Sequence, residues 1–400
     1  MKQLIAIFLT FILLATSSFG SGRSFSSIPL PQSIFLDTNG MPCNSKCLKD
    51  FIEQGFYFSF ISRYSKELAD EDTLQELYTN LSVTFDLDAQ GNKPAIKLAV
   101  LFPQKRIRGY AISTVNTIIA YLLHRDHHFD IEIFNIEDED EVSIKTAIDN
   151  IDTKGYHYVV APLTLEGATH LANYSGKLRL FIPTVHKSLI QNAPESVLFG
   201  GINYEQQIEA LMSEANGKVA LFSDGSLLAN SLDSFVRNKA GTIIYNQELG
   251  DSKINFKSML NKNTRLDNSS VFLNTPLVKS SLLASQLRVY DIKPYVLLST
   301  QINYHPMLLT LTQYEDREKL LIANAIDFVP SNLRIINSLL GHSLEYDWVN
   351  YATSIGIDHF YVNYFNTGAT PLFKEYIIDG QVAYKTKLFR ANRYQLLPAR

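Results

Sequence analysis

The stretch YHYVVAPLTLEGATHL, Tyr156 to Leu171, decides how the chain is to be read. Its first half is an apolar, β-favouring run that stops at Pro162, whose missing N–H ends a ladder. Its second half resumes in a helical pattern, with Thr164 suited to cap the new helix and Glu166 to favour its first turn. A short strand that passes through a proline turn into a helix is one beat of a β-α-β rhythm.

The same beat runs outward in both directions. IKLAVLFP and FDIEIFNI are strands before it, with STVNTIIAYLLHR and SIKTAIDNIDTK as the helices between, and LRLFIPT is the strand after it. Strands separated by helix-length segments predict parallel sheets covered on both faces, with right-handed crossovers. After SVLFGGINY the rhythm restarts with KVALFSD, GTIIYNQEL, SSVFLNT and KPYVLLST as strands. Two similar α/β lobes follow from that restart, and Gly200-Gly201 is the natural first crossing between them. A long helical tail, residues 332–365, and the stretch EYIIDGQVAYKTKLF, whose Asp379-Gly380 pair reads as a hairpin turn, require the chain to cross back. The expected organisation is a first lobe of 95–201 and 330–363 and a second of 202–329 and 364–400, with return crossings near 326–332 and 363–370.

The N-terminal part differs. Lys2, an apolar run to Ala15 and the small residues TSSFGSG have the order of a secretory signal, so 1–20 is read as a signal peptide. Its core is shorter than the roughly 20 apolar residues of a membrane span, and no later segment approaches one. Whether the signal is cleaved or retained as an anchor stays open. Residues 21–94 form a mainly helical preface, with one helix expected over 46–64 and another in DEDTLQELYTNL, N-capped by Asp70 or Asp72. In an oxidising compartment Cys43 and Cys47, the two cysteines of the chain, are expected to pair as a local staple.

Composition narrows the function. The chain has 46% hydrophobic residues and a formal net charge of −4, which supports a large core and gives no electrostatic reason to bind nucleic acid. The acidic run Glu137 to Glu141 reads as a solvated connector, and His124, His127 and His128 as a connector rather than a metal site. The lone Trp348 reads as core or lobe-interface packing. Nucleophile-elbow, zinc-protease and phosphate-loop motifs are absent, so no catalysis, cofactor or metal is expected.

The order of elements from FIPTVHKSLIQNAPESVLFGGINY onward resembles the type 1 periplasmic binding-protein fold, the Venus-flytrap shape of branched-chain amino-acid receptors. VFLNTPLVKSSLLASQLRVYDIKPYVLLST, SIGIDHFYV and NTGATPLF are also similar to the C-terminal domain of periplasmic activators of penicillin-binding proteins. The resemblance spans 95–400 and implies a ligand cleft off the carboxyl ends of the strands. Thr164, Glu166, Thr184, His186 and Asp224 are the candidate cleft residues. Receptors of this fold hold a ligand carboxylate with small hydroxyl residues in the loops of Thr164 and Thr184. Glu166 departs from that pattern because its charge opposes an anion, which Lys187 would have to offset. The preface and Glu166 together favour a non-catalytic scaffold in the periplasm that meets a cell-envelope protein, with Phe56, Phe58 and Phe60 of the preface as the candidate partner surface. The alternative is a solute receptor that closes on a small molecule for a transporter or sensor.

Overall fold

The computed structural model describes residues 43–69, 71–84, 95–172, 176–250 and 254–399. The signal segment and Asp70 lie outside them. The chain divides into two compact units at Asn92/Lys93.

In the first unit, α1 (Ser45–Glu53), α2 (Tyr57–Arg63) and α3 (Asp72–Thr84) pack around Cys43, Leu48, Phe60, Ala69 and Leu74. The single helix expected over 46–64 is two, because Gly55 takes φ 75° and turns the chain after α1. Asp72 is the first helical residue of α3, and Lys49 pairs with Glu71 just before it. Phe60 is fully buried in this unit's own core, so it offers no partner surface; Tyr57 and Phe58 are exposed. Cys43 and Cys47 are disulfide-bonded with Cα atoms 5.6 Å apart. A loop that short restrains little unfolded chain, so Cys43→Ser with Cys47→Ser is expected to cost no more than about 2 kcal/mol. Urea denaturation of the two-serine protein checks this, and a larger loss would show that the staple supports more than one helix turn.

The second unit contains two seven-stranded sheets. The first has β1 (Ile96–Phe102), β2 (Phe129–Asn135), β3 (Tyr158–Val160), β4 (Arg179–Ile182) and β5 (Val197–Phe199) in the order 2-1-3-4-5, all parallel. In the second, β6 (Lys218–Ser223), β7 (Thr242–Glu248), β8 (Ser270–Asn274), β9 (Val296–Ser299) and β10 (Leu320–Asn324) repeat it as 7-6-8-9-10. The strand direction of winding therefore reverses between β1 and β3 in one sheet and between β6 and β8 in the other. The central strands are buried on both faces, as expected for sheets sandwiched between helices.

Helices 141–153 and 165–172 cover one face of the first sheet, and 109–124, 331–339 and 348–360 the other. Gly356 is required there, since a Cβ would stand 2.2 Å from the Phe181 ring. The chain crosses to the second sheet at 200–203, where a Cβ on Gly201 would meet the Val185 backbone at 2.2 Å. It returns over 325–330, between β10 and helix 331–339. The last crossing is a correction. The hairpin β11 (Ile377–Ile378) and β12 (Gln381–Val382), turned by Asp379-Gly380 at φ 49° and 76°, joins β5 of the first sheet. Residues 364–382 thus belong with the first lobe, held by buried Phe373 and Val382, and the chain crosses at 383–386 before β13 (Lys387–Ala391) and β14 (Leu396–Pro398) close the second sheet.

Candidate functional site: the cleft between the sheets

The loops at the carboxyl ends of both sets of parallel strands face one cleft of about 1920 Å³. Four of the five residues expected there line it: Thr164, Thr184, His186 and Asp224. Glu166 does not. Its carboxylate is 2.6 Å from Arg106 Nη1, and the same guanidinium reaches Asp138 at 2.5 Å and Glu139 at 3.6 Å. The charge that seemed to oppose an anion is therefore neutralised by Arg106, not by Lys187, whose ammonium donates to the Asp379 carbonyl.

The acidic run is not simply solvated. Glu137 pairs with Lys105, Asp138 with Arg106, and Asp140 caps helix 141–153 by accepting from Val142 and Ser143 N–H. Glu139 is fully buried, accepts the Thr164 N–H at 2.8 Å and accepts the Thr164 hydroxyl as well. Gly167 makes room for it, because a Cβ there would come within 2.6 Å of Glu139 Oε1. Thr164 stands at the start of its helix, but its hydroxyl is spent on Glu139. Thr184 likewise donates its hydroxyl to the Leu163 carbonyl at 2.5 Å. His186 accepts from Ser188 N–H at a 3₁₀ turn, and burial lowers its pKa, as it does for His305 and His342 in the same cleft. Burial thus favours the neutral form of all three rings.

Unspent polar groups lie at the two switch points. Arg108, at the end of the short helix 104–107 that follows β1, lines the cleft and is exposed, and its guanidinium has no hydrogen-bond or ion-pair partner among the described residues. Asp224, just after β6, accepts the Ser226 N–H at 3.1 Å through Oδ1 and no other donor among the described residues. Asn274 ends β8; its amide donates to Asp233 at 2.8 Å, while its Oδ1 is buried without a partner. An acceptor left so costs about 1–3 kcal/mol unless water or a ligand meets it. Tyr110 and Trp348 flank the cleft, Trp348 opening a helix capped by Asp347, whose carboxylate accepts Val349 and Asn350 N–H. Arg108, Asn274, Tyr110 and Trp348 were not singled out for the site from the sequence. The one available signal was a polar Asn closing the buried strand SVFLN. His127 is buried against the Tyr361 hydroxyl, and no group of metal-ligating side chains occurs among the described residues.

No family model matches this chain, and no curated protein does. Solved structures do. The substrate-binding protein LivJ of Streptococcus pneumoniae, in complex with isoleucine, is 13% identical over 76% of this chain and 98% of its own, with a TM-score of 0.51. An ABC-transporter solute-binding protein from R. palustris, in complex with 4-hydroxybenzoate, is 12% identical over 76% and 96%, with a TM-score of 0.54. An extracellular ligand-binding receptor from Verminephrobacter eiseniae is 11% identical over 76% and 100%, with a TM-score of 0.56. The fold is the two-lobed α/β architecture of type 1 periplasmic binding proteins.

Proposed function

We propose that this chain is an exported, non-catalytic solute receptor that closes its lobes on a small molecule and presents itself to a transporter or sensor. The observation that carries the reading is the open cleft, fed by the carboxyl-end loops of both sheets, with unspent polar groups at each switch point. Binding sites that bury a small ligand enclose roughly 300–1,000 Å³. A cleft of about 1920 Å³ is wider than that, so burial of a solute requires the lobes to approach about the three crossing segments. The similar structures that hold isoleucine and 4-hydroxybenzoate support a small-molecule occupant. This reverses the preference for a scaffold, which rested on the preface and on the charge of Glu166, a charge that Arg106 meets.

A cell-envelope scaffold, as in the penicillin-binding-protein activators, keeps one observation in its favour. The preface has its own core and exposes Tyr57 and Phe58. Its attachment to an envelope protein is a second, independent proposal, compatible with a receptor body.

Trp348, the chain's lone tryptophan, lines the cleft and reports on it directly. A bound solute is expected to shift its emission and to stabilise the fold by about 2.7 kcal/mol at a hundredfold excess over Kd. Fluorescence and thermal melts against amino acids, aromatic acids, sugars and short peptides check this. Failure of every class to move either signal would reject the receptor.

A further inference from the structure

The two sulfurs of the preface are placed unequally. Cys43 is 5% exposed in the core of the first unit, whereas Cys47, in the first turn of α1, is only part-buried, so an incoming thiolate meets the Cys47 sulfur first. Cys43 is held against the end of α2. Its N–H donates to the Arg63 carbonyl at 3.0 Å, and Arg63 Nη1 donates to its sulfur at 3.7 Å. The same guanidinium lies 5.5 Å over the Phe51 ring of α1, so both helices fix its place beside the sulfur.

The rate of thiol–disulfide exchange depends on which sulfur can be approached and on how well the departing sulfur bears negative charge. Burial among apolar side chains opposes a thiolate at Cys43, and a guanidinium in contact with it favours one. The approachable sulfur and the cation-backed sulfur are thus the two ends of one bond, in the order that exchange needs. The fold also holds this bond weakly. A disulfide resists reduction in the folded chain, relative to the unfolded chain, by as much as it stabilises the fold, because the two quantities close one thermodynamic cycle. A ring closed over a sequence separation of 4 restrains little chain, so that added resistance is small.

We propose that Cys43–Cys47 is a thiol–disulfide exchange site for a dithiol partner. A thiolate of the dithiol attacks Cys47 Sγ, the bond between the two cysteines breaks, and Cys43 leaves as a thiolate beside Arg63. The partner's second thiolate then attacks the partner sulfur of the mixed disulfide and releases Cys47. The dithiol is oxidised to a disulfide, the cysteine pair is reduced by two electrons, and two protons pass from the dithiol to the pair. Helix α1 keeps its cap throughout, because Asn44 Oδ1 accepts the Cys47 N–H at 3.1 Å without involving either sulfur. The site lies wholly within the preface and is independent of what the cleft binds.

The test uses the full oxidised chain, in which every thiol that appears belongs to this pair. Dithiothreitol gives the rate of reduction and glutathione buffers give the equilibrium, both read by alkylation and mass spectrometry, while hydrogen exchange over 45–63 reports whether the helices persist. The pair is expected to be reduced with its helices kept. Arg63→Gln is expected to slow reduction by dithiothreitol about tenfold or more, and Arg63→Lys, which keeps the charge, by less. Single-cysteine variants decide the side of attack without touching Arg63: oxidised glutathione is expected to modify Cys43→Ser, which keeps Cys47, about tenfold faster or more than Cys47→Ser. If the pair yields only when the helices unfold, it is a static staple and the proposal falls. If Arg63→Gln changes the rate by less than about twofold, or Cys47→Ser reacts as fast as Cys43→Ser, the assigned attack and departure are refuted.

Discussion

Asp358→Ala is expected to destabilise the second unit by about 3–5 kcal/mol, measured as a lower urea midpoint with an unchanged slope. Asp358 lies on helix 348–360 with 4% exposure. Its Oδ1 takes the Tyr121 hydroxyl at 2.5 Å and Arg125 Nη2 at 2.7 Å, and its Oδ2 takes Leu372 N–H at 2.9 Å and Phe373 N–H at 3.3 Å. One carboxylate thus ties helix 109–124 to the segment leading into the last hairpin of the first sheet. Removing it leaves the largely buried Arg125, stacked between Tyr121 and Tyr361, without its counter-charge. It also orphans two N–H groups. Asp358→Asn keeps acceptor capacity and should lose less. A loss below about 1 kcal/mol for the alanine variant would mean that the guanidinium is satisfied by the Thr370 carbonyl and its aromatic neighbours alone, and that the clamp is not structural.

The alternation of strand and helix was legible because each element carries its own period and several end at a proline or glycine, as at Pro103, Gly155 and Pro276. Gly200-Gly201 was legible as a crossing for the same reason. The position of 364–382 was not, since it is fixed by two-residue strands whose pairing partner, Phe199, lies far away in sequence. The helix pattern fades near 363, but that local change does not mark the change of lobe, which comes only after Val382. Thr164, Thr184, His186 and Asp224 reach the cleft because strand ends are readable. What each hydroxyl or charge does there is set by residues distant in sequence. Arg106 reaches Glu166 across sixty positions, and a run of five acids reads as solvated unless the burial of one of them is known. Arg108 left no trace at all, because its backbone angle is a property of the folded loop.

That buried acid sets the last expectation. Glu139→Ala should cost about 2–4 kcal/mol and loosen the loop that carries Thr164 into the cleft. The side chain has no exposure, holds both the N–H and the hydroxyl of Thr164, and fills the space left by the missing Cβ of Gly167. Truncation removes both acceptors and opens a void against helix 165–172. Against this stands the cost of keeping a carboxylate from water, with Arg106 at 3.6 Å as its cation. Glu139→Gln decides between the two. It keeps the shape and one acceptor for the Thr164 N–H, so if the hydrogen bonds dominate it should recover most of the loss; if desolvation dominates, it should match or exceed the parent stability. Urea denaturation gives the balance, and hydrogen exchange at the Thr164 amide gives the loop, whose protection should fall in the alanine variant well before global unfolding. An alanine variant within about 0.5 kcal/mol of the parent, with the Thr164 amide still protected, would show that Pro162 and the helix itself fix this loop, and that Glu139 is carried there rather than needed.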